Sequence, residues 1–147
     1  MNLENYNNIA ITSIAISSVL SLSEELSLPK ALLIMPLFTS KDLTSHLARK
    51  TTEIKSIEKL ISEKTRLFSN FNQRYYGSLA NSLNAIQLLI ETNQISITNG
   101  KLRNNESFQY LKEMGKRAGK INTASQNVSK ILNENTEKLY LNLRIEL

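Results

Sequence analysis

A mainly helical α+β domain is the fold this sequence predicts. Three observations carry that reading. Apolar residues recur at three- and four-residue steps over most of the chain. Only four Gly and two Pro interrupt 147 residues, which favours continuous elements over a loop-rich sandwich. One stretch late in the chain alternates around an Asn-Gly pair, the mark of a β-hairpin. The length suits one domain over residues 1–147 with its own core, without disulfides or metals.

The first helix is expected from about Asn8 to Glu25. Ile11, Ile14, Ala15, Ser18, Leu22 and Leu26 make one stripe, while Ile9, Ile16 and Leu20 lie on a second face. A helix apolar on more than one face is buried all round, by its own chain or by another subunit. Residues 5–23 carry no charge, yet Thr12, Ser13, Ser17, Ser18 and Ser21 break the apolar run that a membrane span requires. A secretory signal would need a positive start, and the charge before this stretch is Glu4. The expectation is a cytoplasmic protein with no membrane contact.

Pro29 is placed to open a short helix and Pro36 to end it, with a buried strand as the competing reading of Leu28–Phe38. Ser40 reads as the N-cap of a helix from Lys41 to about Arg49. From Thr52 on, Ile54, Ile57, Leu60, Ile61, Leu67, Phe68 and Phe71 mark an amphipathic helix, bent or broken near Asn70–Gly77. A second helix follows with Leu79, Leu83, Ile86, Leu89 and Ile90. Residues Ile95–Arg103 then form the hairpin. Helices are expected over Ser107–Lys120 and Asn122–Asn133. The last residues alternate, with Leu139, Leu141, Leu143, Ile145 and Leu147 on one side, and read as a strand pairing with the hairpin.

The chemical inventory is thin. There is no Cys, one His (His46) and one Asp (Asp42), with no Glu-x-x-His pair and no phosphate-cradling glycine motif. No group is placed to orient His46 for nucleophilic or acid–base work. The expectation is a protein without catalytic residues, metal, cofactor or small-molecule substrate.

Binding is the remaining class. The order helix, helix, hairpin over residues 55–103 is winged-helix-like, with Ser78–Thr92 as the groove-entering helix. But Gly77–Gln94 holds no Lys or Arg, and Lys101 and Arg103 alone are a weak footing for phosphates. The winged shape therefore reads as adapted to proteins, with a stand-alone winged DNA-binding regulator as the alternative. Lys112, Lys116 and Lys120 recur every four residues, with Arg117 alongside, as one basic helical stripe that would meet an acidic partner or DNA backbone.

A family resemblance runs through these segments. Asn7-Asn8 opens the first helix, followed by Leu32-Leu33-Ile34-Met35-Pro36-Leu37 and Arg74-Tyr75-Tyr76. Then come Leu83-Asn84-Ala85-Ile86-Gln87-Leu88-Leu89, the Ile95–Leu102 hairpin, Met114-Gly115-Lys116 and the final alternating strand. Together they resemble the middle component family of bacterial three-component ABC systems, which includes the small subunit of Lamassu-type anti-phage complexes. The resemblance implies a non-catalytic adaptor in a hetero-oligomer. It would bridge an SMC/Rad50-like ABC ATPase subunit to an effector such as a nuclease, with DNA reached through the complex. Candidate partner contacts are Ile9, Ile16, Leu20, Arg74 and Tyr75. Candidate contacts to nucleic acid or an acidic partner are Lys101, Arg103, Lys112, Lys116, Arg117 and Lys120.

Overall fold

The computed structural model describes residues 3–147. In chain order its regular elements are helix α1 (Leu3–Ser21), strand β1 (Leu26–Ser27), helices α2 (Leu28–Ala31), α3 (Ile34–Phe38), α4 (Lys41–Leu47), α5 (Ile57–Glu63) and α6 (Phe71–Glu91), strands β2 (Ile95–Thr98) and β3 (Lys101–Asn104), and helices α7 (Lys116–Ile131) and α8 (Thr136–Asn142). Single 3₁₀ turns sit at Thr65–Phe68 and Lys112–Met114. The mainly helical α+β class expected from the sequence is the one observed. Helix α1 packs against both α6 and α7, and the small antiparallel sheet, ordered β1-β3-β2, lies beside it.

The lack of charge in α1 after Glu4 follows from that position. Ile16 is 0% and Leu20 1% exposed, with Ala15 and Val19 equally enclosed. Two of its buried hydroxyls are satisfied within the helix: Thr12 Oγ1 donates to the Asn8 carbonyl at 2.6 Å and Ser18 Oγ to that of Ile14 at 2.7 Å. Back-bonding to the carbonyl four residues earlier lets Ser and Thr enter a core without an unpaired polar group. Each large aliphatic side chain so enclosed contributes about 1.5–3 kcal/mol. The helix spans Leu3–Ser21, several residues earlier at both ends than expected.

Local signals explain the short elements. Ser40 Oγ accepts from the Leu43 N–H at 3.0 Å and caps α4 as expected. Pro29 sits in the first turn of α2, capped by Ser27. Pro36, expected to end a helix, instead lies in the first turn of α3, where its missing N–H costs nothing. The hairpin forms around Asn99 and Gly100, both at positive φ (54° and 73°), as a type I′ turn requires.

Three further expectations need correction. The break before the long helix falls at Lys64–Asn70 and not at Asn70–Gly77; Asn70, at φ 59°, precedes α6, and Gly77 lies inside that helix. Residues 107–120 are not one helix. Gly115 (φ 98°) interrupts the chain there, and α7 then runs unbroken through Lys120–Asn122 to Ile131. Finally, the C-terminal strand is absent, and the third strand of the sheet is β1, through Leu26 opposite Leu102. Residues Thr136–Asn142 form α8, capped by the Asn135 side chain, which accepts from the Lys138 N–H at 3.1 Å. Leu139 and Leu143, four apart, are the buried pair, whereas Leu141 between them is 77% exposed. A Leu at every second position fits either period, and the cap decides for the helix.

Helix α8 is fastened from several sides. Glu134, just before it, accepts the Ile57 N–H at 2.7 Å, supplying α5 with a remote cap. Lys138 pairs with both Glu134 (2.8 Å) and Glu58 (3.0 Å). Tyr140 Oη donates to the Pro29 carbonyl at 2.6 Å and lies 3.3 Å from Tyr75 Oη, in a site whose burial holds its hydroxyl above the usual tyrosine range.

Candidate interaction surfaces

The residues expected to meet partners divide sharply in the structure. Ile16, Leu20 and Tyr75 are core residues, and Ile9 is partly covered against the same core. Arg74 is spent inside the chain. Its guanidinium donates to the Pro36 carbonyl (3.0 Å), the Leu67 carbonyl (2.8 Å) and Thr39 Oγ1 (3.2 Å), and lies 4.9 Å from the Phe71 ring centroid. It thereby ties α3 to α6 through carbonyls that no helix ladder satisfies.

The hairpin cations are likewise engaged. Glu25 receives Lys101 Nζ at 3.2 Å and Arg103 Nη2 at 2.7 Å. The Arg103 hydrogen bond, with that of Lys101, holds the Glu25 carboxyl below the usual range. The pairing is therefore intact at neutral pH and is lost as pH falls through that lowered value. Two cations shared with one carboxylate leave the hairpin little field for DNA. Replacing Glu25 with Gln should release them, steepening the salt dependence of duplex-DNA binding by about one to two ions. Fluorescence anisotropy across a salt series reads this; an unchanged slope would mean Glu25 does not mask them.

The basic stripe is also rearranged. Lys112 lies in a 3₁₀ turn ahead of Gly115, off the helix that carries Lys116, Arg117 and Lys120. Those three meet Lys41 of α4 across a groove of about 680 Å³ that Phe38, Thr39, Thr44 and Ile121 also line. Lys41 joins them through folding alone, and no spacing in the sequence signals it.

A contrasting surface runs along α6. Tyr76, Leu83 and Leu88 are between 44% and 45% exposed, and Ile97 on β2 is 43% exposed. Asn84 and Gln87 lie between them, and Glu91 is the one charge on this outer face. Sequence patterning marked this helix as uncharged but not how far its leucines stand open.

His46 is half-buried; burial, then the charges of Lys64 and Arg49, lower its pKa, and its Nδ1 has no hydrogen-bond partner. Among the described residues no three His, Asp or Glu side chains converge as a metal site, and no helix is long and apolar enough to cross a membrane.

Exposed leucines on α6 and a cationic groove between α4 and α7 are the two distinctive surfaces of this small helical protein. The chain belongs to the family described as ABC-three component (ABC-3C) system Middle Component 3, whose model matches residues 3–147. It is thus one component of a multi-component ABC system, and protein partners come with that membership. Comparisons with curated proteins and with solved structures return no match.

Proposed function

We propose that this chain is the adaptor of its ABC-3C system, a cytoplasmic subunit without catalysis of its own. In this reading it holds an SMC/Rad50-like ABC ATPase and an effector such as a nuclease in one anti-phage complex, as the small subunit does in Lamassu-type assemblies. The observation that carries the proposal is the outer face of α6. On a 21-residue helix, Leu83 and Leu88 stand half-exposed on either side of a strip of small and neutral polar residues, Ala80, Asn84 and Gln87, while the charges are confined to an inward-tied Arg74 and Glu91. Such a face suits the apolar centre of a protein interface, where charged residues are depleted.

Co-purification with the ATPase and effector encoded beside it tests this. The wild-type chain should enter a stable complex, and Leu83→Asp with Leu88→Asp should weaken it at least about tenfold, since buried anchors dominate interface energy. Both sites are exposed, so the variant's melting temperature should hold. A chain that never joins either partner would end the adaptor reading.

One observation favours a second reading. Helices α5 and α6 followed by the β2–β3 hairpin keep the helix, helix, hairpin order that would support a winged DNA-binding regulator. Against it stand the outer face of α6, whose one charge is Glu91, and the pairing of Lys101 and Arg103 with Glu25. Tight, steeply salt-dependent duplex binding by the isolated chain would decide for the regulator.

A further inference from the structure

The groove between α4 and α7 has a chemistry distinct from the α6 face. Four cations ring it, Lys41, Lys116, Arg117 and Lys120, and no Asp or Glu lines it. Among the described residues none of the four takes part in an ion pair; Lys120 Nζ reaches only the Ser45 hydroxyl, at 2.9 Å. Their aliphatic stems, with the edges of Phe38 and Ile121 and the methyls of Thr39 and Thr44, give the lining a largely apolar surface.

The placement also runs against local stability. Lys116 and Arg117 occupy the first turn of a 16-residue helix that has no acidic residue there and no side-chain cap. A helix N-terminus carries partial positive charge, so two cations there repel it. Rules of local stability are broken where a site needs the offending groups.

We propose that this groove docks an acidic segment of a partner protein, one that sets aliphatic or aromatic side chains among its Asp or Glu residues. The inference deepens the adaptor reading and rests on it. A phosphate backbone would satisfy the cations but leave the apolar walls unused. An acidic peptide with apolar anchors satisfies both, by charge complementarity at the rim and burial against the lining.

The test uses the full chain and a labelled peptide alternating Glu and Leu, compared with an all-Glu peptide of equal charge and a short DNA duplex. The Glu-Leu peptide should bind about tenfold or more tightly than either comparator. The variant Lys116→Glu with Arg117→Glu should lose at least about tenfold in that affinity, because each rim pair is replaced by repulsion. The same variant should melt about 1–4 °C higher, since acids at the first turn suit the helix end. Lys112→Glu, outside the groove, should change binding less than about twofold.

Equal or tighter binding of the all-Glu peptide or the duplex would overturn the proposal, leaving only general attraction for polyanions. So would peptide binding that survives charge reversal, or a lowered melting temperature, which would assign Lys116 and Arg117 to the fold. A wild-type chain that assembles with its ATPase and effector yet ignores the peptide would sink the groove alone. A chain that does not assemble would sink the adaptor reading beneath it.

Discussion

Ile16→Asp should leave the chain largely unfolded, whatever partners are supplied. Ile16 is 0% exposed on the side of α1 that enters the core. Removing the aliphatic side chain costs about 2–5 kcal/mol, and lodging a polar group without a partner adds about 1–3 kcal/mol. Domains of this kind hold about 5–15 kcal/mol in all. Leu20→Asp should behave alike. Leu22→Asp is the control, because Leu22 is 49% exposed just past the end of α1, and it should stay within about 0.5 kcal/mol of the parent. Far-UV circular dichroism on heating measures all three. An Ile16→Asp protein that melts like the parent while losing its partners would restore this face to an interface.

Arg74→Ala should destabilise the chain by about 2–4 kcal/mol, the cost of stranding acceptors that a charged donor had satisfied. The Leu67 carbonyl would lose its 2.8 Å partner outright, the Pro36 carbonyl would keep only its 2.9 Å bond from Thr39 Oγ1, and Phe71 would lose its guanidinium. For a protein of this size the loss corresponds to roughly 5–15 °C in Tm. Arg74→Lys should recover little, since an ammonium cannot address the separate acceptors that the planar fork spans. A melting temperature within 2 °C, on the order of the scatter between repeats, would show that water replaces the guanidinium at no cost.

Where a residue type answers a local physical demand, the sequence was readable. Asn99-Gly100 announced a turn with two positive φ angles, and Ser40 announced the start of α4. The uncharged stretch after Glu4 announced a largely buried helix, and α1 packs on α6 and α7 with Ala15–Leu20 enclosed, although Ala10 stays exposed. Reading failed where two periods shared one pattern. Leu139, Leu141 and Leu143 fit a strand until Asn135 is recognised as a cap, and then only the outer pair is buried. It failed too where tertiary partners decide. Nothing near Lys101 in the chain points to Glu25, 76 positions away, and nothing near Lys116 points to Lys41. Arg74 and Tyr75 drew attention as a motif with an outward purpose, yet their hydrogen bonds go to Pro36, Leu67, Thr39 and Tyr140.

The packing of α1 against α7 bears on how the chain acquires its shape. The first helix leaves the ribosome well before Lys116–Ile131, the segment that covers one of its sides, has been translated. Strand β1 must likewise wait for Leu102 and Lys101. Contacts of such long sequence separation slow the search for the native state and leave greasy surface uncovered meanwhile. Production in a cell should therefore improve with slower synthesis or added chaperone, by sheltering an early segment until its late companion arrives.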